Sequence, residues 1–287
     1  MAREKDKAVQ AVDISSLLKM KKKGQKITML TAYDTPTARM LDDAGIDVLL
    51  VGDSAANVVL GYKDTLPVTM DEMIHHTKAV SRGVKRAMVL GDMPFMSYNI
   101  SHEDAVRNAG RFIKEGGAQA VKLEGGAHVV DTVERLFRAG IPVVGHLGLT
   151  PQTAGMQGGY RVQGKTAATA ARIVEDALKL QEAGAFMLIL ECVPDRVGEH
   201  VSKALEIPVV GIGAGPGCDG QVLVFHDMVG IGTGFSPKFV RRYANLGQEI
   251  VEAASRYKQD VQQGSFPAKE HCFTIKDSEF ELLVKKR

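Results

Sequence analysis

The sequence predicts a single-domain α/β protein of the TIM (β/α)8 barrel class. Eight short, β-rich apolar runs recur along the chain, at 27–33, 48–52, 87–93, 120–126, 143–148, 187–193, 209–215 and 222–229. Most of the intervals between them carry helix capping and stop signals. The runs show little alternation of polarity, as expected of parallel strands covered on both faces. A doubly wound dinucleotide fold would favour Gly-x-Gly-x-x-Gly after the first run, where the chain instead reads Thr31-Ala-Tyr-Asp-Thr-Pro36.

Bulk properties narrow the function class. The 287 residues suffice for one large barrel. A net charge of +2 gives no electrostatic argument for nucleic acid or an anionic membrane as partner. Cys192, Cys218 and Cys272 stand far apart with no Cys-x-x-Cys pair, which argues against a zinc ribbon or a disulfide framework. The charged start, Met-Ala-Arg-Glu-Lys-Asp-Lys, is not followed by a signal-peptide apolar core, and no apolar run is long enough to span a bilayer. A cytoplasmic location is therefore expected.

Residues 1–26 read as an N-terminal helical extension, 27–264 as the barrel and 265–287 as a C-terminal tail with a covering or intersubunit role. In the extension, Val12, Ile14, Leu17 and Leu18 suggest a short helix capped by Asp13, Ser15 or Ser16. Lys21-Lys22-Lys23-Gly24 ends it, and a solvated helix end is favoured over a phosphate patch. Between strands, Thr35–Ala44 is helical, Thr69-x-x-Glu72 is a capping box, and Ser101-His-Glu-Asp104 opens another helix. Val129–Gly140, Thr166–Gly184 and Asp195–Leu205 follow the same scheme, and two of them end in Ala-Gly. Pro216–Gln221 is too short for a full helix, and 232–264 reads as the eighth.

Several apolar runs end in a polar residue: Val-Gly-Asp53, Leu-Gly-Asp92, Lys122-Leu-Glu124, Val-Gly-His146 and Ile-Leu-Glu191. At the C-terminal mouth of a barrel such endings converge on a site. If they face the axis, residues two and four before them do so too: Met187 and Ile189, Met88 and Leu90, Leu49 and Val51, and Val144. Asp53, Asp92 and Glu124, if close, repel one another unless a cation intervenes, and oxygen-only ligands favour Mg²⁺ over zinc. Such an ion suits chelation of a 2-oxo acid, with Lys122 at the developing negative oxygen, Glu191 as general base and His146 orienting substrate or shuttling a proton. Plainer readings stand beside these: Asp53 as the cap of the next helix, Lys122 with Glu124 as a structural ion pair, and His146 as a structural histidine. The glycine-rich 211–217 stretch suits either phosphate binding or tight turning, and the 155–164 loop either a lid or an ordinary connection.

Longer motifs carry a resemblance. Thr31-Ala-Tyr-Asp, Val51-Gly-Asp-Ser54, Val59-Leu-Gly-Tyr62 with Thr65-Leu-Pro-Val-Thr69, Gly91-Asp-Met-Pro94, Val121-Lys-Leu-Glu-Gly-Gly126, Gly145-His-Leu-Gly-Leu-Thr-Pro-Gln152 and Leu190-Glu-Cys-Val-Pro194 closely resemble the ketopantoate hydroxymethyltransferase family, as do Gly211-Ile-Gly-Ala-Gly and Phe266-Pro-x-x-Glu-His271. The match runs from about Ile14 to about Phe273. It implies a Mg²⁺-dependent barrel, commonly a homodecamer, that transfers a hydroxymethyl group from 5,10-methylenetetrahydrofolate, its co-substrate, to 3-methyl-2-oxobutanoate, giving 2-dehydropantoate for pantothenate and coenzyme A synthesis. By position it implies Asp53 and Asp92 as metal ligands, Glu124 as a ligand directly or through water, and Ser54 and Lys122 as substrate contacts. Glu191 matches the base and His146 an active-site position. The chain departs from the family at Ala55-Ala56-Asn57, where Leu-Gly-Met or similar is frequent, so a stiffer loop is expected beside Ser54. The runner-up enzyme class is a Mg²⁺-dependent lyase or mutase of the phosphoenolpyruvate mutase and isocitrate lyase type, whose Lys-Cys-Gly-His-like loop is absent from the sequence. A non-catalytic metabolite-binding barrel is the other alternative, against which an isolated base at Glu191 argues.

Overall fold

A computed structural model describes residues 10–232 and 237–285. Eight parallel strands close into one barrel in chain order: β1 (Ile27–Thr31), β2 (Val48–Val51), β3 (Met88–Asp92), β4 (Ala120–Glu124), β5 (Val143–Gly148), β6 (Met187–Glu191), β7 (Val209–Ile212) and β8 (Gly220–Leu223). Closure sets Met29 opposite Val222 and Leu30 opposite Leu223. The α-helices are α1 (Ile14–Lys22), α2 (Thr35–Asp43), α3 (Ala55–Val58), α4 (Met70–Gly83), α5 (His102–Lys114), α6 (Val130–Arg138), α7 (Ala167–Glu182), α8 (Asp195–Ala204), α9 (Phe225–Val229), α10 (Leu246–Gln263) and α11 (Asp277–Lys285). The charged start at 1–9, part of the expected eighth helix at 233–236 and the end of the tail at 286–287 lie outside the described residues.

Local chemistry accounts for the helix starts. Asp13 caps α1 reciprocally with Ser16, and Thr69 and Glu72 form the expected box on α4, Thr69 N–H donating to Glu72 Oε2 at 2.8 Å. The helix-ending glycines Gly45, Gly140 and Gly184 take left-handed backbone.

Two apolar layers result. Inside the barrel, Met29, Leu50, Met88, Leu90, Val144, Met187, Ile189, Val210 and Val222 pack together, and α1 seals the N-terminal end with Leu17. Outside, Leu49, Val51, Val121, Leu123, Leu188 and Leu190 meet helix residues such as Ile74, Phe112, Leu136 and Leu180. Each such buried side chain contributes roughly 1.5–3 kcal/mol.

The structure corrects four expectations. Leu49 and Val51 face the helices, and Val48 and Leu50 face the axis. β2 ends at Val51, so Asp53 reaches the mouth from the turn beyond the strand, where strict alternation no longer applies. The eighth run is half strand, ending at Leu223, and half helix, in α9. Lys21 is no solvated helix end: its ammonium donates to Asp219 Oδ2 at 2.6 Å and to Ser202 O at 2.7 Å, tying α1 to the barrel bottom. Finally, α10 buries no residue, and Thr28 on β1 and Gln221 on β8 stay exposed where an eighth helix would lie.

Candidate active site

Asp92, Glu124 and Glu191 are the last residues of β3, β4 and β6, Lys122 lies on β4 and His146 on β5. Parallel strands with matched ends bring these side chains to one mouth, and neighbouring pairs stand in register: Asp92 opposite Lys122, Glu124 opposite His146. Outward-facing glycines let the helix layer close behind them. A Cβ at Gly91 would come within 2.3 Å of the Phe112 ring, and one at Gly145 within 3.0 Å of Leu180 Cδ1.

Lys122 is the centre of the network. Its Nζ stands 2.9 Å from Asp92 Oδ1, 3.2 Å from Glu124 Oε1 and 3.2 Å from His146 Nδ1. His146 Nδ1 is also 3.3 Å from Glu124 Oε1, and its Nε2 is 3.4 Å from Glu191 Oε2. Asp53 N–H donates to Asp92 Oδ2 at 2.9 Å. Asp53, Asp92, Lys122, Glu124 and His146 are all buried, whereas the Glu191 side chain keeps 16% exposure. The structural ion pair between Lys122 and Glu124 is therefore present, and Asp53 caps nothing: Ser54 holds the N-cap position of α3, and its side chain makes no capping bond.

Electrostatics follow from burial. Loss of water, then repulsion from Asp92 and Glu124, push Asp53 well above the usual carboxylate range. Asp92 is raised by burial, against the pull of Lys122. For Glu124 burial is outweighed by Lys122 and His146, which hold it down to about 2. Lys122 is likewise opposed by burial, yet Asp92, Glu124 and Asp53 keep it charged, well above its ordinary value. Burial and Lys122 both disfavour protonation of His146, but Glu124 and Glu191 prevail and raise it to about 9.

These groups line a cavity of about 630 Å³. Its floor is apolar, from Leu50, Ile189, Ile212 and Val222, and its outer wall carries Lys63, Tyr160, Arg161, Lys238 and Phe239. The donor chemistry fits a hard cation: oxygens only, two carboxylates raised first by burial and then by neighbouring acids, and a buried Asp92 Oδ1 in ion-pair contact without a hydrogen bond. The fit is one of donor type. Among the described residues, no three His, Cys, Asp or Glu side chains close on a single metal position, and Lys122 stands between Asp92 and Glu124.

Three contributors escaped the sequence reading. Tyr33 OH bonds Ser54 Oγ at 2.8 Å. Gln152 donates from Nε2 to Asp53 Oδ2 at 2.9 Å, and Tyr98 OH donates to Gln152 Oε1 at 2.7 Å. A polar residue within a turn or two of a strand end was the signal available for Gln152. Elsewhere, Ala55-Ala56-Asn57 forms the helical turn α3 with both alanines buried. In the 211–217 stretch, Gly213 packs against Phe239 and Gly215 against Asp195, so close turning accounts for these glycines. The 155–164 loop places Tyr160, Arg161 and Val162 at the cavity.

Comparison with known proteins bears on the fold and the family. The barrel is similar to a solved phosphonopyruvate hydrolase in complex with oxalate and Mg²⁺, with a TM-score of 0.59 at 13% identity over 96% of this chain and 95% of that one. It is similar also to 2,3-dimethylmalate lyase, a PEP mutase/isocitrate lyase superfamily member, at a TM-score of 0.57 and 17% identity over 95% and 97% of the two chains. At such identities the likeness reports the fold alone. Sequence relatives are far nearer. The 3-methyl-2-oxobutanoate hydroxymethyltransferase of Syntrophomonas wolfei is 57% identical over 272 residues, covering 95% of this chain and 99% of its own. That of Syntrophus aciditrophicus is 59% identical over 254 residues, covering 88% and 93%. The family model for ketopantoate hydroxymethyltransferase matches residues 11–269, which span every barrel strand and every ionisable group of the site, and the chain therefore belongs to that family.

Proposed function

We propose that this chain is a 3-methyl-2-oxobutanoate hydroxymethyltransferase that forms 2-dehydropantoate, with Mg²⁺ and with 5,10-methylenetetrahydrofolate as the one-carbon donor. The observation that carries the chemistry is a buried ammonium, Lys122, among three carboxylates, with a fourth, Glu191, at the edge of the same cavity. Asp53 and Asp92, with Glu124 directly or through water, would hold the cation. Once bound, it polarises the substrate ketone and makes the neighbouring C–H more acidic.

The chain's own groups divide the remaining work. Ser54, oriented by Tyr33, and Lys122 contact the carboxylate and oxo oxygens, so that positive charge already faces the oxygen that becomes negative. Glu191 is the base for the C–H proton. It is the least enclosed of the acids, and His146 Nε2 beside it restricts its orientation. The resulting carbon nucleophile forms the C–C bond to the donor's methylene carbon and water forms the C–OH bond as both C–N bonds to that carbon break, and tetrahydrofolate leaves with the substrate's proton and one proton from water. The apolar floor suits a branched alkyl group. The cavity exceeds a five-carbon oxo acid, and its outer wall supplies two aromatic rings and three cations, features that suit a pterin and an anionic glutamate tail.

A homo-oligomer, a homodecamer by family resemblance, is supported by the apolar side chains that α10 and α11 leave uncovered, among them Ile250, Val251, Tyr257, Leu282 and Leu283. A cytoplasmic location is proposed on the same footing; among the described residues no helix is long and apolar enough to cross a membrane. The deciding assay follows 2-dehydropantoate formation from the oxo acid and methylenetetrahydrofolate. Turnover abolished by chelator and restored by Mg²⁺ is expected; no turnover with Mg²⁺ present, or turnover indifferent to chelator, would refute the reading.

A further inference from the structure

We infer that Gln152, held by Tyr98, is a positioning residue that decides which oxygen of Asp53 faces a divalent cation and fixes the Glu124 carboxylate beside it. The inference rests on the proposed cation site. It starts from an arrangement that the catalytic roles leave unexplained. Gln152 lies in the 3₁₀ turn Pro151–Thr153 after β5, and both it and Tyr98 are only 4% exposed. Every polar group of Gln152 other than its carbonyl is engaged with site carboxylates or their supports. Its Nε2 donates to Asp53 Oδ2 and to Met93 O, each at 2.9 Å. Its backbone N–H donates to Glu124 Oε2 at 3.1 Å. Its Oε1 accepts from Tyr98 OH at 2.7 Å.

The direction of the amide is fixed chemically. Tyr98 OH accepts from the Glu124 backbone N–H at 3.2 Å, so its single hydrogen is free to point at Gln152 Oε1; Glu124 O, at 3.3 Å, is the weaker acceptor. Met93 O accepts only. Reversing the amide would set its oxygen against Met93 O and against the Asp53 carboxylate at once. The NH₂ group therefore faces Asp53, and one turn pins one oxygen on each of two acids, Asp53 in the turn after β2 and Glu124 at the end of β4. Asp53 Oδ2 and Glu124 Oε2 are taken by Gln152, and Glu124 Oε1 is turned toward Lys122 and His146. Among the described residues no donor bonds to Asp53 Oδ1, which is left for a cation. Carboxylates oriented in this way lose 10–100-fold in metal affinity, in order of magnitude, when the orienting partner is removed.

The test uses Mn²⁺ as a spectroscopically visible probe, titrated into the full-length wild type and into the Gln152→Met and Tyr98→Phe variants and followed by electron paramagnetic resonance. Methionine keeps the length of the side chain and removes its donors. The expected result is a Kd raised roughly 10–100-fold in Gln152→Met and several-fold in Tyr98→Phe, less than multiplicatively in the double variant because both act through one amide. Turnover of Gln152→Met should recover as Mg²⁺ is raised. A structural role alone would lower Tm and leave Mn²⁺ affinity of the folded protein unchanged, and that outcome overturns the inference. Should Gln152→Met fail to fold, Tyr98→Phe decides, since it deletes one oxygen atom only. A wild type that takes up no Mn²⁺ would refute the cation site itself, and the inference with it; a wild type that binds, with variants that bind equally, would refute the positioning role alone.

Discussion

Replacing Lys122 with Met probes the charge balance at the centre of the barrel. The ammonium lies 2.9 Å from Asp92 and 3.2 Å from Glu124 with side chains 4% or less exposed, so no water can take its place as a counter-charge. Deleting one member of a buried ion pair typically costs roughly 3–5 kcal/mol, because the partner is left charged and dry. For a chain of this size that is a fall in Tm of roughly 5–10 °C. The pH dependence gives the sharper signature. In the wild type, Lys122 is raised above its unfolded value, so its contribution is complete at pH 8 and below. In the variant, Asp92 and Glu124 lose the cation that opposes their desolvation: Asp92, already raised, rises further, and Glu124 rises from its depressed value to above the unfolded one. Carboxylates raised in that way stabilise the fold at low pH and cease to do so as pH rises through the folded value. The gap between wild type and Lys122→Met should thus be widest near pH 8 and shrink by pH 5. Urea unfolding without divalent ions at both pH values measures it. A gap below about 1 kcal/mol that is the same at both would show that Lys122 is not the counter-ion of these acids.

Two further outcomes test other parts of the molecule. Glu191→Gln should bind Mg²⁺ and the oxo acid nearly as the wild type does, while exchange of the substrate's C3 proton with D₂O, followed by NMR, falls by at least about 10²-fold; undiminished exchange removes Glu191 from the base role. His226 packs against the Tyr33 ring, and burial lowers its pKa below the usual imidazole value. A depressed folded pKa means that the unfolded chain binds more protons as pH falls below about 6.5, so His226 contributes stability above that pH that is lost on acidification. His226→Gln should show a shallower loss of urea midpoint between pH 7.5 and 5.5 than the wild type, and parallel profiles would contradict the assignment.

How much of this was legible in the sequence depends on the range of each interaction. The barrel was legible because buried parallel strands read as unbroken apolar runs, and because Asp92, Glu124, His146 and Glu191 sit at or near the strand ends where those runs turn polar. Local signals such as the Thr69–Glu72 box were equally plain. The orientation of Leu49 and Val51 was misread because parity was counted back from Asp53, which lies in a turn and not on β2. The eighth run misled because apolar content does not separate a strand from a buried helical turn: Val222 closes the barrel, whereas Val229 belongs to α9. The periodicity of α10 announces a helix but carries no information on what lies against it. Gln152 and Tyr98 left no local trace of their partnership, since the bonds join residues 99 and 54 positions apart.

The glycine behind Asp92 has a practical implication. Gly91 touches no reactant, yet the Phe112 ring of α5 packs directly on it, one residue before Asp92. Enlarging it would drive the end of β3 inward or α5 outward, and Asp92 would be displaced with the strand. Directed-evolution screens scored on turnover should therefore flag position 91 as intolerant as if it were a reactive group. A compensating truncation at Phe112 should restore tolerance, something no true reactive position would permit.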